Sequence, residues 1–418
     1  MVHQYKSNGY NIVLDVCSGS VHVVDDLVYD IIANYENHTK EQVMELLPSY
    51  DKDEVSEAYD EVTGLVEDGT LFTEDIFKDY IIDFKKRKTV VKALCINIAH
   101  DCNLACRYCF AGEGEYKGDR GLMPLDIAKK SLDFLVANSG NRVNLEVDFF
   151  GGEPLMNWDV VKETVRYGRS LEEKHNKKFR FTLTTNGVLL NDEVMEFANK
   201  EMANVVLSID GRKEIHDYMR PTRNGKGSYD LLLPKFQEFA KKRAGKSYYV
   251  RGTYTHNNLD FSKDVLHMAD LGFDQISIEP VVSLPDEPYA IKEEDIPYLL
   301  DQYDILAKEM IKRHKEGRGF NFFHFMIDLN QGPCVIKRIT GCGAGNEYLE
   351  ILLTQILGRN KRVLMENPTY LQAYHTFLNM GYQMTLVSVE EDGIDPQKVR
   401  NYDPDVVYIM PSHQFPLG

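Results

Sequence analysis

The sequence predicts an α/β protein built around an open, partial (β/α)6 barrel of the TIM type, and three observations support this. From residue 93 onward, short apolar strands alternate with longer helical patterns in six pairs, which is typical of a parallel sheet. Six pairs are too few for a closed eight-fold barrel. A smaller segment precedes the pairs and an incomplete α/β segment follows them. In such folds, the functional groups lie at the carboxyl ends of the strands.

Residues 1–85 form the first predicted domain, which has the size of a small winged-helix-like module. Alternating apolar residues predict strands, and the wider apolar spacing that follows predicts helices. The predicted strands are 11–16 and 21–24, and the predicted helices are 27–35, 40–47 and 53–67. The run Asp83-Phe-Lys-Lys-Arg-Lys88 reverses the sign of the charge and is typical of a linker.

Residues 86–330 form the second predicted domain, the partial barrel. Each strand is a short apolar run, and each helix shows an apolar stripe of helical period. The predicted strands are 93–99, 145–150, 179–185, 205–210, 248–255 and 275–279. The predicted helices are 125–137, 160–175, 192–200, 229–242, 262–271 and 293–315.

The negative charge is concentrated in the first domain and limits the kinds of partner. Nineteen Asp and Glu residues against five Lys give residues 1–85 a net charge of −14, out of −17 for the whole chain. The negative electrostatic field of this domain repels nucleic acid and anionic membranes and attracts a cationic peptide. The alternative is a solvated acidic face that only confers solubility. Without a long apolar run or a secretion signal, we expect a cytoplasmic protein that binds neither nucleic acid nor membrane.

Three of the seven cysteines lie on one short stretch directly after the first barrel strand. The motif Cys102-Asn-Leu-Ala-Cys106-Arg-Tyr-Cys109 suits a soft metal or an iron-sulfur cluster better than a set of disulfides. Three thiolates would leave one iron of a four-iron cube open for a substrate or a cofactor. A zinc site that borrows His100 or a distant ligand is the alternative.

This motif resembles that of the radical S-adenosylmethionine (SAM) superfamily, in which three cysteines follow the first strand of a partial barrel. The segment Phe150-Gly-Gly-Glu-Pro154 after the second strand is similar to the family's Gly-Gly-Glu-Pro segment. The resemblance implies a 4Fe-4S cluster on the three cysteines and reductive cleavage of SAM. A 5'-deoxyadenosyl radical then removes a hydrogen atom from the substrate. This chemistry demands no acid-base pair, and the sequence offers no convincing nucleophile with a partner base.

By this resemblance, six residues contact SAM. The glycine pair lets backbone carbonyls approach the amino group, a serine and an arginine hold the carboxylate, and a tyrosine lies near the adenine. A surface ion pair is the alternative for the arginine. Residues 185–187 follow the third strand, and residues 279–280 close the site after the sixth. The implied contacts are Gly151 and Gly152 for the amino group, Glu153 within the same segment, Ser208 and Arg220 for the carboxylate, and Tyr108 for the adenine.

The amino-terminal segment resembles the PqqD-type element that binds leader peptides in enzymes acting on ribosomally made peptides. The resemblance implies a leader bound as an added strand, and the acidic surplus favours a basic leader. From Gly-Tyr-Asn-Ile-Val-Leu-Asp-Val to Gly-Cys-Gly-Ala-Gly-Asn-Glu-Tyr-Leu, residues 1–349 are similar to maturases of the six-cysteine peptide SCIFF. Those oxidoreductases form thioether bonds between a cysteine sulfur and a carbon of another residue. A precursor peptide and a low-potential electron donor are the partners this implies.

The SCIFF maturases continue into a SPASM domain with auxiliary 4Fe-4S clusters, and residues 331–349 match only its start. Cys334 and Cys342 match the first auxiliary ligands, but no cysteine follows them in the sequence. We therefore expect neither auxiliary cluster to be complete, and two free thiols or an accidental disulfide are the alternative.

Residues 343–418 resemble a different family, the aminotransferase-like half of MocR-type transcription regulators, which has the fold of type I pyridoxal phosphate enzymes. The string Gly343-Ala-Gly-Asn346 fits both resemblances. Predicted strands at 362–365, 383–389 and 406–410 alternate with a helix at 351–357 and a helix that runs through Leu378. The Schiff-base lysine of that family would lie beyond this segment, so we expect no pyridoxal phosphate chemistry. We interpret residues 350–418 as an incomplete domain fragment in a hybrid chain, with apolar sheet edges left exposed.

Two classes of function are open at this stage. The first is a radical SAM enzyme that forms cysteine thioether crosslinks in a peptide, impaired by the loss of auxiliary cluster ligands. The second is a non-catalytic peptide-binding or inactive hybrid protein, in which residues 1–85 retain binding. A zinc-structured regulator is a third, weaker alternative. Formation of 5'-deoxyadenosine from SAM separates the first class from the other two.

Overall fold

The computed structural model describes residues 1–75, 90–116, 118–326, 361–367, 377, 382–388 and 396–408. The chain divides into two compact units. One holds Tyr5–Ile12 and Val90–Asp328, and the other holds Met1–Gln4, Val13–Thr89 and Leu329–Gly418. The predicted linker at 83–88, Cys334 and Cys342 lie outside the described residues.

The amino-terminal strands form a three-stranded sheet in the order β1–β2–β3, so β1 and β3 are its edges. These strands are β1 (Val2–Ser7), β2 (Tyr10–Asp15) and β3 (Val21–Val24). The strongly polar pattern of β1 explains why the apolar alternation does not predict it. The helices Asp26–Tyr35, Lys40–Leu46 and Lys52–Glu67 follow. Each begins after an Asp or Thr whose side chain accepts a backbone N–H of the first turn, which is a favourable N-cap.

The helices of this segment pack their apolar faces into a small core. Val13 of β2 is buried there together with side chains from all three helices, among them Ile31, Val43, Val55 and Val62. Removing these side chains from water stabilises the segment, because burial of apolar surface is the main favourable contribution to folding.

An eight-stranded sheet forms the centre of the other unit, in the order β11–β10–β9–β8–β7–β6–β4–β5. Seven strands run parallel, and the two-residue strand β5 pairs antiparallel with β4. The strands are β4 (Ala93–His100), β5 (Gly121–Leu122), β6 (Asn144–Gly151), β7 (Lys178–Thr185), β8 (Met202–Ser208), β9 (Tyr248–Tyr254), β10 (Gln275–Pro280) and β11 (Asn321–Phe322). An α/β fold with a mostly parallel central sheet is therefore confirmed, and the strand order is that of an open sheet.

Helices connect the parallel strands and cover one face of the sheet. Leu132, Val165 and Phe236 are fully buried helix residues, and Phe149 and Phe181 are fully buried strand residues. The alternate residues of the strands point to the opposite face, which we call the cavity face. The helices are Leu125–Asn138, Trp158–His175, Asp192–Glu201, Lys213–Met219, Tyr229–Arg243, Phe261–Asp270 and Ile296–Lys315.

The six predicted strands of this sheet are all present, and the differences lie at their ends. The fourth was predicted at 205–210, but β8 begins at Met202, which pairs with Phe181, and ends at Ser208. It ends there because the chain turns at Gly211, whose φ of 102° favours glycine. The short helix Lys213–Met219 was not predicted, since seven residues show too little of a helical period.

The carboxy-terminal segment contains a parallel three-stranded sheet in the order β13–β12–β14. The strands are β12 (Arg362–Asn367), β13 (Gln383–Ser388) and β14 (Val406–Tyr408), and the helix Pro396–Tyr402, which was not predicted, precedes β14. Val363, Met365, Phe377 and Tyr382 form its buried cluster. Across the described parts of the whole chain, no helix is long and apolar enough to cross a membrane.

Candidate functional site

A cavity of about 570 Å³ lies at the carboxyl ends of the parallel strands. This volume is within the range of small-molecule sites. The cavity brings together the three cysteines of the motif and nearly all the residues that the resemblance assigns to SAM. Those that line it are Cys102, Cys106, Cys109, Tyr108, Gly151, Gly152, Thr185, Asn186, Ser208, Arg220, Glu279 and Pro280.

The cysteine loop leaves β4 and enters the cavity with its first sulfur buried. Cys102 is 8% exposed, and Cys106 and Cys109 are partly buried. Two N–H groups point at the sulfur of Cys102, the backbone N–H of Leu104 and the side-chain amide of Asn186, each at 3.5 Å from Sγ. Hydrogen bonds of this kind orient a thiolate ligand and tune the metal that it binds.

Burial makes these thiols unfavourable as free anions. It raises the pKa of Cys102 to about 12 and the pKa of Cys106 to about 11. A bound iron would stabilise both thiolates. Within the described residues, no three His, Cys, Asp or Glu side chains converge on a single ion. In a four-iron cube each of the three thiolates would bind a different iron.

The glycine pair at the end of β6 packs directly against the backbone that enters the cysteine loop. A Cβ atom on Gly151 would lie 2.4 Å from the carbonyl oxygen of Ala99, and one on Gly152 would lie 2.1 Å from that of Asp101. Gly151 also has a φ of 123°, which L residues rarely adopt. Only glycine therefore fits at both positions, and the bare backbone forms this wall of the cavity.

Glu153 follows the glycine pair, but its side chain turns away from the cavity. It is fully buried and accepts hydrogen bonds from the Leu155 N–H at 3.0 Å, the Thr185 hydroxyl at 2.7 Å and the Asn186 N–H at 2.7 Å. Burial raises the pKa of Glu153, and these three donors act in the opposite direction. Glu153 is not among the residues that line the cavity, and the contact of Glu153 with SAM stays a prediction. The side chain instead ties the end of β6 to the turn after β7.

Tyr108, between the second and third cysteines, is bound to a buried ion pair. Its hydroxyl donates to the two oxygens of Asp210 at 2.9 and 2.7 Å and accepts from Arg220 Nη1 at 2.9 Å. Arg220 Nη1 lies 3.6 Å from Asp210 Oδ1, and the Arg220 side chain is buried, so the surface ion pair considered above is not what forms. Burial raises the pKa of Asp210, whereas Arg220 and Tyr108 oppose this.

These contacts belong to a closed ring of hydrogen bonds that returns to Asp210. The Asp210 N–H donates to His216 Nδ1 at 3.2 Å, which leaves the ring proton of a neutral histidine on Nε2. That nitrogen lies 3.0 Å from the Ser228 hydroxyl, which donates to the Arg220 carbonyl at 2.6 Å. Burial, and then the charge of Arg220, lower the pKa of His216 well below its ordinary value. The ring therefore fixes the second half of the cysteine loop through Tyr108.

A network of ion pairs holds the first half of the same loop. Arg223 donates from Nε to the Cys102 carbonyl at 2.5 Å and from Nη2 to Asp101 Oδ1 at 3.0 Å. Arg120 contacts Glu113 and Glu115 at 3.4 and 3.1 Å. Most of these side chains are partly exposed, so each pair contributes little alone, and their effect is to restrict the loop.

The cavity face also carries residues that sequence reasoning missed. Arg251 and Thr253 of β9 line the cavity, together with Phe110, Val281 and Val282 at its rim. Phe110 is 73% exposed and Val282 is 89% exposed. The alternation Tyr249, Arg251, Thr253 within an otherwise apolar strand was the available signal, because alternate residues of a strand share one face.

A second cavity, of about 810 Å³, lies on the same sheet toward the amino ends of the strands. Arg180, Asn204 and Tyr249 are among the residues that line it, and no cysteine is. Although it is larger, it lacks soft ligands. The chemistry of the cysteines therefore places the candidate active site in the smaller cavity.

The residues around the smaller cavity fit a 4Fe-4S cluster with SAM. Three cysteine side chains reach one space, and the glycine backbone leaves room beside them. Arg220 Nε is buried without a hydrogen-bond partner, which is a donor available to a ligand. These features define a site for a soft metal cluster with an adjacent polar ligand.

Residues 96–249 match the family model described as the Radical SAM superfamily. The match runs from β4 into β9 and contains the cysteine loop, the glycine pair, Ser208 and Arg220. The chain therefore contains a radical SAM domain, and this family implies a 4Fe-4S cluster and SAM.

Three curated relatives show how far sequence similarity extends. The chain is 28% identical over 233 residues to an uncharacterized protein of Methanocaldococcus jannaschii (54% of this chain, 77% of the relative). It is 26% identical over 260 residues to a cysteine-type anaerobic sulfatase-maturating enzyme of Clostridium novyi (58% and 67%). It is 37% identical over 76 residues to the uncharacterized HTH-type transcriptional regulator YdeL of Bacillus subtilis (18% and 16%). Two further relatives are matched over only 46% and 38% of their length.

Among solved structures, the chain is similar to native anSMEcpe with bound AdoMet and Kp18Cys peptide. The sequence identity is 20%, the TM-score is 0.48, and the match covers 64% of this chain and 66% of that one.

Proposed function

We propose that this chain is a radical SAM enzyme that acts on a ribosomally made, cysteine-rich peptide and forms thioether crosslinks in it. The observation that carries the proposal is the meeting of Cys102, Cys106 and Cys109 in one cavity with the glycine pair and the unpartnered Nε of Arg220. The radical SAM domain supports the class of chemistry. The similarity of residues 1–349 to SCIFF maturases supports the finer assignment of substrate and bond.

The roles of the chain's own residues follow from their contacts. The three cysteines would hold three irons, and Asn186 and Leu104 would donate N–H groups to the Cys102 sulfur. The glycine backbone would face the amino group of SAM, and Phe110 at the rim would limit access of water. When bound, the cluster and SAM supply the electron and the hydrogen-abstracting group. No residue of the chain is required as an acid or a base in this step.

Iron and sulfide analysis after anaerobic reconstitution tests the cluster. We expect about four irons per chain rather than about eight or twelve, because only the cysteine loop supplies three ligands close together in the sequence. Cys106→Ala should abolish formation of 5'-deoxyadenosine with dithionite. Cys17→Ala is the matched control, because Cys17 follows β2, outside the central sheet. Turnover that survives Cys106→Ala, or zinc in place of iron, would refute the proposal.

Peptide mass tests the reaction. Incubation with SAM, a reductant and a six-cysteine peptide should remove two hydrogens per thioether formed. Uncoupled 5'-deoxyadenosine without any loss of peptide mass would support SAM cleavage with impaired crosslinking. Absence of both products, with peptide binding retained, would favour the non-catalytic alternative.

The amino-terminal segment is proposed to bind the leader of the precursor peptide. β3 is an edge strand, and the side chains of Val21 and Val23 on it are 48% and 65% exposed. A leader strand could add there, with its basic residues near the acidic helices. Fluorescence anisotropy with a lysine-bearing leader should show binding that weakens as salt rises, since the charges are solvent-exposed. Leader binding that is insensitive to salt would contradict this site. Leader binding that persists when Val21 or Val23 of β3 is changed to proline would also contradict it.

Residues 350–418 are proposed to correspond to part of a pyridoxal phosphate aminotransferase-like domain. The 76-residue similarity to an HTH-type regulator supports this, because the segment 343–418 that resembles such regulators has the same length. The short parallel sheet β13–β12–β14 is compatible with an α/β domain. Sequencing reads that span the codons for residues 335–360 test whether the hybrid exists as one gene. Absence of continuous reads would show that this polypeptide is not made.

A further inference from the structure

The second cavity shares the cavity face of the central sheet with the smaller one. Thr182 of β7 lines the second cavity, and Thr184 of the same strand lines the smaller one. Tyr249 and Arg251 of β9 divide between the two cavities in the same way. In each pair the two residues are consecutive on one face of a strand, which places them roughly 7 Å apart. A ligand that is extended along the strands can therefore reach from one cavity to the other.

Two cations of the second cavity have no protein partner. Arg180 on β7 and Lys241 on the helix Tyr229–Arg243 both line this cavity and are exposed. Within the described part of the chain, neither side chain makes a hydrogen bond or an ion pair. The third cation there, Lys246, donates to the Asn199 carbonyl at 2.5 Å. In a chain of net charge −17, such a place can attract an anion that the rest of the chain repels.

The acidic side chains of this cavity are bound to other groups. Glu146 is the register partner of Arg180 on β6, but its carboxylate lies 3.5 Å from the ammonium of Lys92. Asp274 accepts from the Tyr248 hydroxyl at 2.7 Å. These two carboxylates weaken the field of the unpaired cations, but neither contacts them as an ion pair.

The uncharged part of the lining suits both the oxygens and the stem of a carboxylate side chain. Asn204 is the register partner of Thr182 and lines the cavity beside it. Its amide N–H groups can donate to an oxygen that the cations attract. Tyr249 packs on Phe323 with the ring centroids 4.8 Å apart, and Phe323 is 44% exposed. This aromatic surface can cover methylene groups, which inorganic phosphate lacks, so the lining favours an organic carboxylate such as a glutamate side chain.

We propose that the second cavity binds the carboxylate of an acidic residue of the substrate peptide, through Arg180, Lys241 and Asn204. The identity of the peptide rests on the proposed function. The lining residues of the two cavities are separated by roughly 7–13 Å along the strands, and an extended peptide advances about 3.3 Å per residue. The acidic residue therefore lies about two to four residues from the cysteine held in the smaller cavity. The precursor peptide then carries a basic leader and, close to its crosslinking site, an acidic residue.

A double-mutant cycle on peptide binding tests this contact. Fluorescent six-cysteine peptides with a basic leader carry one glutamate two, three or four residues from a cysteine, and matched peptides carry glutamine there. Each peptide is titrated against the reconstituted protein and against Arg180→Gln, anaerobically, with SAM and without reductant. We expect the unchanged protein to bind one glutamate peptide about 3- to 10-fold more tightly than its glutamine partner, between the effects of an exposed ion pair and of a charged hydrogen bond. Arg180→Gln should remove this preference and leave the affinity for the glutamine peptide unchanged, which isolates the pairwise contribution.

Arg166→Gln is the matched control and should keep the preference. Arg166 is exposed on the helix Trp158–His175 and lines neither cavity. The absence of a preference for any glutamate peptide overturns the proposal, and so does a preference that survives in Arg180→Gln. An equal loss of affinity for both peptides in Arg180→Gln also overturns it. Because these titrations need no turnover, they do not depend on whether 5'-deoxyadenosine or a crosslink forms.

Protection from an arginine-specific reagent tests the site without any peptide. Phenylglyoxal is applied to the protein, and the modified arginines are identified by peptide mass. Propionate should slow the labelling of Arg180 saturably, propionamide should not, and Arg166 should be labelled at one rate throughout. Labelling of Arg180 that propionate does not slow, or slows only as much as at Arg166, overturns the site. Inorganic phosphate that protects Arg180 more strongly than propionate overturns the assignment to a carboxylate. Because this measurement needs neither cluster nor peptide, its failure is distinct from failure of the proposed function.

Discussion

Replacing Tyr108 with phenylalanine should destabilise the central unit by about 2 kcal/mol, although it removes one oxygen atom and leaves the ring in place. Asp210 would lose the hydroxyl that donates to both its oxygens and keep the Thr253 N–H at 3.1 Å and Arg220 at 3.6 Å. Arg220 Nη1 would lose its acceptor. A buried charged group left one donor short costs about 1–3 kcal/mol, so the middle of this range is the expected loss.

Calorimetric unfolding of the iron-free protein under anaerobic conditions measures this loss. For a domain of this size, about 2 kcal/mol lowers the melting temperature by roughly 4–8 °C. Tyr167→Phe is the matched control, because the Tyr167 hydroxyl donates to Asp133 at 2.7 Å on the exposed surface. Its loss should change the free energy of unfolding by less than about 0.5 kcal/mol. If both variants melt at the same temperature, the hydrogen-bonded ring does not stabilise the cysteine loop and the reasoning fails.

Two further predictions follow from the same sheet. Gly152→Ala should distort the start of the cysteine loop and prevent cluster assembly, because the added Cβ would lie 2.1 Å from a backbone oxygen. Gly121→Ala is the control, because its Cβ would meet nothing within 4 Å and the cluster should assemble normally. Iron content measures both. Asp148→Asn should change stability in a pH-dependent way. The folded-state pKa of Asp148, about 6, lies above the ordinary 3.8, so the folded state holds this proton more tightly and that stabilisation is lost as pH rises through about 6. In urea unfolding, the free energy of unfolding of the variant should equal that of the unchanged protein near about pH 4. Near about pH 8 it should be larger by about 1–2 kcal/mol, after allowance for partial exposure. An equal difference at both pH values would contradict this.

The strands of the central sheet could be predicted because each is an apolar run between turns, and the cavity could be placed because parallel strands end at one edge. The cysteines and the glycine pair were predicted to share that edge, and they do. Both features follow from local sequence and from strand direction. They need no knowledge of side-chain contacts over long distances.

The orientation of individual polar side chains could not be predicted in the same way. Glu153 was expected at the cavity, but its partners at 185–186 lie more than 30 residues away and turn it into the protein. Arg251 was missed because a charged residue in a strand looks like a solvent-facing position when the fold around it is unknown. The ring from Tyr108 to Ser228 joins four segments of the chain, and no periodicity in the sequence indicates such a closure.

The short strand β5 has a mechanical consequence for the cysteine loop. Its Gly121 pairs with His100, the last residue of β4, so the chain that leaves the sheet before Cys102 returns to the same strand. Residues 101–120 therefore form a loop that is closed at its base by the β4–β5 pair. Closing so short a loop costs little entropy. We expect the β4–β5 pairing to persist whether or not iron is bound. Oxidative loss of the cluster should therefore leave the cysteine loop folded, so that a new cluster can be bound without refolding.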